Sequence, residues 1–310
     1  MPTTLTPLRD AVLLVRGAQA VDLLQAQTSQ ELRQWPQAAA RLAMLCTPQG
    51  RALADLLVWP DVDGGFALAL AEDLAEAIAK RLRMFIMRLQ CTVDDGSPQR
   101  RVYGMLRTPG DATTPLAWPD APWQIQRADG LCRIRLPDAP GQERMMVIAE
   151  GEAGAAAVAA LAQAVPAGAE ADWERARIRA GIAHLGAATS QAFVPQMLNY
   201  ELLGAIDFKK GCYPGQEVIA RTQYRGAIKR RTYRVLATSP MAPGDEVFDA
   251  ADPSQPCGMV VNAAPDGDSW EALAEIKIAT AEGGAALRLR AADGPALRMA
   301  SLPYGLEPLP

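Results

Sequence analysis

The side chains best suited to chemistry crowd into one run, Lys209-Lys210-Gly211-Cys212-Tyr213-Pro214-Gly215-Gln216-Glu217. Cys212 could supply a nucleophilic, redox-active or metal-coordinating thiolate. Tyr213-Pro214-Gly215-Gln216 fits a type II turn, in which proline presets φ at the second position and glycine accepts positive φ at the third. Gln216 to Arg225 then reads as a helix, with Gly226 just past its end. A thiol ahead of a helix start and beside two lysines is favoured as thiolate. The same pattern also suits a small residue that only fills space beside Gly211, since free cysteine commonly packs as an apolar side chain.

The other cysteines, Cys46, Cys91, Cys132 and Cys257, are far apart, and no pair has the spacing of a zinc or redox motif. No bound metal is predicted. The single histidine, His184, excludes a multi-histidine metal site and reads as a loop or edge residue with a satisfied ring.

Charge marks the same region. Residues 209 to 234 hold Lys209, Lys210, Arg221, Arg225, Lys229, Arg230, Arg231 and Arg234 against one acid, Glu217. The segment carries +7 and leaves −11 for the rest of a chain whose net charge is −4. Arg221, Arg225, Lys229 and Arg231 are the expected basic patch for an anionic partner, with a solvated face as the plainer account.

Around this run the pattern is mixed. Ala18 to Trp35 has loosely helical apolar spacing, whereas Arg41 to Cys46 and Arg51 to Trp59 flank Thr47-Pro48-Gln49-Gly50 as a hairpin would. Strand Phe66 to Leu70, helix Glu72 to Met87 and strand Arg88 to Val93 follow. Beyond a Pro- and Gly-rich stretch with strands Cys132 to Leu136 and Met145 to Ala149 come helices Glu152 to Ala164 and Asp172 to Ala180. After Arg230 only short strands remain, which predicts a small terminal barrel or sandwich. Hydrophobic residues at 49% and charged residues at 21% of 310 suit a globular chain of two or three domains. No apolar run approaches the roughly 20 residues of a spanning helix. The N-terminus lacks the basic and apolar stretches of a signal peptide, so a cytoplasmic protein is expected.

The run Phe193 to Tyr200 followed by Ile206 to Arg221 resembles the signature of the YgfZ family, with Lys210-Gly211-Cys212-Tyr213-Pro214-Gly215-Gln216-Glu217 as its core. Leu24-Gln25-Ala26-Gln27-Thr28, Leu45-Cys46-Thr47-Pro48-Gln49-Gly50-Arg51 and Leu302-Pro303-Tyr304 resemble further segments of that family. The resemblance implies an α+β fold like the glycine cleavage system aminomethyltransferase. Two intertwined subdomains would occupy 1–230, with a boundary near 98, around a central pocket; a C-terminal β-barrel would occupy 231–310. It implies an accessory role for iron–sulphur enzymes or cluster carriers, some acting on tRNA, with Cys212 as the functional thiol. It also implies tetrahydrofolate as a ligand, in a pocket bordered by Trp173, Arg179 and Asn199. Folate-dependent relatives carry an acid where this chain has Arg179, which offers only donors. Where aminomethyltransferases carry adjacent acids, this chain has Ala54-Asp55. A folate-dependent one-carbon transferase is therefore the second reading, and an RNA-binding module the third.

Overall fold

The computed structural model describes residues 2–36, 38–111 and 114–307. Its elements in chain order begin β1 (Thr4–Pro7), β2 (Asp10–Arg16), α1 (Ala20–Gln27), β3 (Arg41–Cys46), β4 (Ala52–Pro60), β5 (Phe66–Ala71), α2 (Glu72–Met84) and β6 (Thr92–Asp95). The middle of the chain forms β7 (Arg100–Arg107), β8 (Ile125–Ala128), β9 (Leu131–Ala139), β10 (Gln142–Glu150), α3 (Gly151–Ala164), α4 (Glu170–Arg179) and α5 (Gln216–Tyr224). The last part forms β11 (Arg230–Ala237), β12 (Glu246–Asp249), β13 (Gly258–Asp266), β14 (Ser269–Lys277), α6 (Ile278–Glu282), β15 (Leu287–Leu289) and β16 (Arg298–Ala300).

Three antiparallel sheets result, ordered β3-β4-β5-β2-β6, β1-β7-β10-β9-β8 and β15-β12-β13-β14-β11-β16. The first two are intertwined. β1 pairs with β7, Thr4 opposite Leu106, while β2, three residues on, pairs with β5 and β6. Every residue of β4 is buried, because one face meets the shared core and the other is covered by the chain after α4. One apolar core runs through both sheets, and the third sheet, a curled half-barrel, has its own. This is a mixed α+β architecture, as expected. α4 lies at the junction and packs on β13 and β14 as well as on β1, β7 and β9. Among the described residues no helix is long and apolar enough to cross a membrane.

Local expectations fail where tertiary contacts take over. The helix expected to reach Trp35 ends at Gln27, where the Thr28 hydroxyl donates to Leu24 O and the Ser29 amide donates to Met44 O. The chain is thereby drawn into the β3 edge. The strand expected over Arg88 to Val93 begins only at Thr92, because Phe85 to Leu89 is wound into tight turns and Met87 has φ of 43°. β1, β7, β8, α6 and β16 were not foreseen.

Candidate functional site

The signature turn forms as its residues dictate. Gly215 has φ 83° and ψ −3°, and the Gln216 amide donates to Tyr213 O at 3.2 Å, which closes a type II turn that opens α5. Gly215 is required twice over. A Cβ there would be strained by the positive φ and would lie 2.5 Å from Thr47 O and 2.7 Å from Gly50 Cα. Gly50, at φ 74°, is held as closely against Val218. The β3–β4 hairpin turn and the signature turn thus meet backbone to backbone. At the other end of α5, the amides of Arg225 and Gly226 both donate to Arg221 O, and Gly226 closes the helix without entering the left-handed region.

Lys210 is buried, and its ammonium donates to three main-chain carbonyls: Gln25 O at 2.8 Å, Gln30 O at 2.8 Å, and Thr28 O. These lie at and just beyond the C-terminus of α1, where carbonyls lack intrahelical partners and a cation is favoured. All three ammonium hydrogens are spent on the fold. Burial pushes this amine down to about 8, against the pull of Glu31 and Asp207. Tyr213 packs beside it, its ring centroid 5.2 Å from Nζ. Asn199 is also buried, takes the left-handed conformation that asparagine tolerates, and donates to Thr232 O at 2.8 Å. Tyr304 donates to Gly181 O, and a Cβ at Gly181 would lie 2.5 Å from its ring. The α1 segment and the hairpin turn both converge on the signature. Leu302-Pro303-Tyr304 docks beside Asn199 and Gly181.

Cys212 and Gly211 are exposed on this framework. The other four cysteines are buried or half-buried. Burial pushes the Cys46 and Cys132 thiols up to about 12 and raises those of Cys91 and Cys257. Gln216 donates to Lys210 O at 3.4 Å, and Glu217 faces solvent.

The basic segment divides in two. Lys209, Arg221, Arg225 and Lys229 are exposed, as is Tyr224, whose ring stands edge-on to Phe208 at 5.7 Å. Arg231 is placed otherwise than the charge run suggested. It is buried, paired with buried Glu201, and donates to Gln196 O at 3.1 Å. Arg230 pairs with Glu275 and Arg234 with Glu271.

A cavity of about 640 Å³ opens elsewhere, between α4, the β2–β5 edge and β13. Of the expected pocket residues only Trp173 lines it. That indole is itself buried on Gly104, where a Cβ would lie 2.3 Å away. Arg179 and Asn199 are not in the wall. Arg179 is turned toward the third sheet, with Nε 3.0 Å from Glu271 Oε1 and Nη2 2.8 Å from Asp266 Oδ2. The wall does contain Asp10, Glu174, Arg177, His184 and Asn262, none of which sequence spacing marked. His184 Nδ1 lies 3.0 Å from Asp55 Oδ2 and its Nε2 3.7 Å from Asp10. Asp55 also accepts the Leu185 amide at 2.7 Å. A carboxylate on Nδ1 orients the ring and fixes its tautomer. Only the unusual single histidine could have drawn attention to this pair, because its partner lies 129 residues away.

Burial and Arg177 push the His184 imidazolium down, but Asp55 and Asp10 outweigh them and leave it above its ordinary value. Burial raises Asp55, and His184, the Leu185 amide and Arg177 more than reverse this. A histidine whose pKa is raised on folding contributes stability that is complete below its unfolded value near 6.5 and is lost as pH rises through the folded value. His184→Gln should therefore remove part of the stability lost above about pH 6.5. Urea midpoints for both proteins across neutral pH would read this; parallel curves would show that the pair carries no proton linkage.

No family model matches the chain. Proteins named tRNA-modifying protein YgfZ from Klebsiella pneumoniae (strain 342) and Escherichia coli O127:H6 (strain E2348/69 / EPEC) are each 28% identical to it over 313 residues. Each alignment spans 99% of this chain, with 94% and 95% of the respective relative. Among solved structures, the glycine cleavage system aminomethyltransferase T from Bartonella henselae superposes with a TM-score of 0.77 at 18% identity, covering 97% of this chain and 86% of that one. The resemblance read from Lys210 to Glu217 therefore extends along the whole chain, which is similar throughout to the YgfZ proteins and has the aminomethyltransferase fold.

Proposed function

We propose that this protein is an accessory factor in tRNA modification that supports the assembly, maturation or repair of iron–sulphur enzymes, with Cys212 as its functional thiol. The observation that carries the reading is the contrast among the cysteines. One thiol of five is exposed, and it sits on a turn braced by the hairpin and by Lys210. Placed on so rigid a support, a thiol is available to a metal or an electrophile in a fixed direction. The relatives' name supports the link to tRNA modification. Iron–sulphur enzymes or cluster carriers are the proposed partners, with tRNA reached through them. The exposed Lys209, Arg221, Arg225 and Lys229 suit an acidic protein face. The cytoplasm is the proposed setting.

Tetrahydrofolate, the alternative reading's cofactor, fits these residues poorly. A pterin's paired N–H groups need an acceptor, and Arg179 has only donors, already spent on Glu271 and Asp266. The cavity wall holds Asp10, Glu72, Asp73, Glu170 and Glu174 against Arg9 and Arg177, which opposes a glutamate tail.

Cys212→Ser tests the proposal. An exposed substitution should change stability by less than about 0.5 kcal/mol. In cells lacking the native protein it should fail to restore tRNA thiolation, and iodoacetamide should label Cys212 ahead of the other four cysteines in the native chain. Full restoration of thiolated tRNA by the serine variant would sink the functional reading of the thiol.

A further inference from the structure

Asp10, Arg177 and His184 line both the 640 Å³ cavity and a second, smaller one of about 40 Å³, and so stand between the two. The far wall of the small chamber includes Arg144, from β10, among apolar side chains such as Leu42, Leu57 and Met146. Arg144 is 1% exposed. Its Nη1 donates to Pro137 O at 3.3 Å, a long bond, and its Nε has no partner. Its guanidinium carbon lies 5.0 Å from the Trp173 ring centroid.

Among the described residues no carboxylate pairs with Arg144. Several comparably buried arginines do have such partners, Arg100 with Asp61, Arg135 with Glu143 and Arg231 with Glu201, whereas Arg133 donates to Ala117 O. A guanidinium stays charged in proteins, and a buried charge without a counter-ion is costly. Burial pushes Arg144 down to about 9, still protonated at neutral pH.

The other charged groups around the chamber are committed to one another. Asp55, from β4, is committed to His184 and the Leu185 amide. Asp10, from β2, faces Arg177 at 3.5 Å and His184 at 3.7 Å. Arg177, from α4, is also 3.4 Å from Glu174. Across the small chamber Arg144, Arg177 and His184 face Asp10 and Asp55, Glu174 lies beyond it against Arg177, and none of the three carboxylates pairs with Arg144.

We propose that the small chamber is a site for a monoanion, a carboxylate or an ion of halide size, held by Arg144 and reached past Asp10, Arg177 and His184. The size limits the class. About 10–15 Å³ suffices for one water, so 40 Å³ takes an ion of a few heavy atoms and excludes a phosphate ester or a folate ring. The apolar wall disfavours a dianion, which would shed more hydration than one guanidinium returns. The anion is either free or the carboxylate end of a ligand lying in the larger cavity, whose Glu72, Asp73 and Glu174 suit an ammonium at the other end.

Crystals of the whole chain soaked in sodium bromide test the site directly: an anomalous peak beside the Arg144 guanidinium is expected. In solution, formate and γ-aminobutyrate at equal ionic strength should raise the thermal midpoint above that in sulfate, and Arg144→Met should abolish the difference. A larger shift with γ-aminobutyrate assigns the site to a ligand's end, and an equal or smaller one to a free ion. No bromide at Arg144, with equal midpoints in all three salts, overturns the proposal. Should Arg144→Met fail to fold, the bromide map on the native chain decides.

Discussion

Lys210→Met should lower the stability of this protein by about 3–5 kcal/mol, the loss typical of removing one partner from a buried charged contact. The methionine fills similar space but donates nothing. Gln25 O, Thr28 O and Gln30 O would lose their shared donor, and each unsatisfied buried acceptor costs about 1–3 kcal/mol. Relief from burying an ammonium offsets part of this. The residual is large against the roughly 5–15 kcal/mol that holds a domain together. Urea unfolding followed by circular dichroism would measure it. A loss below about 1 kcal/mol would mean that water takes over the three carbonyls and that Lys210 is no structural anchor. The sequence reading placed Lys210 as a charge acting on Cys212, whereas its hydrogens are directed into the α1 terminus.

Arg231→Glu should be worse tolerated than any exposed reversal in the basic segment. It would set a second carboxylate against buried Glu201 and leave Gln196 O without its donor. Burial already raises Glu201, against the pull of Arg231. Breaking such a buried pair costs about 3–5 kcal/mol before the new repulsion is counted. Arg225→Glu, on an exposed residue just past α5, should stay within about 0.5 kcal/mol. Soluble yield and thermal midpoint of the two variants side by side make the comparison. If Arg231→Glu melts with Arg225→Glu, the Arg231–Glu201 pair is not what ties β11 to the segment before the signature.

These two residues also show where sequence reading stops. The turn at Tyr213–Gln216, α5 and the β3–β4 hairpin were legible because proline, glycine and apolar alternation act within a few residues. The direction of a long cationic side chain was not. Arg225 and Arg231 are equivalent in a charge count, yet β11 turns Arg231 inward to Glu201 while Arg225, past the end of α5, remains in water. Trp173 was expected at the border of a pocket and does line the cavity, but Gly104, far away in sequence, gives its ring a seat in the core. Asp55 and His184 have no local signature at all, since the sheet and the loop after α4 bring them together.

The anchoring of Lys210 also has a meaning in time. Its acceptors are made early: Gln30 precedes it by 180 residues. A chain growing from its N-terminus can form α1 and the β3–β4 hairpin while the carbonyls at the end of α1 still face water. Only when the signature has emerged can the ammonium close that gap and Gly215 settle on Gly50. Contacts of such long sequence separation form late, because loop closure must be paid before they return anything. The exposed orientation of Cys212 is therefore fixed only in a chain that has finished folding.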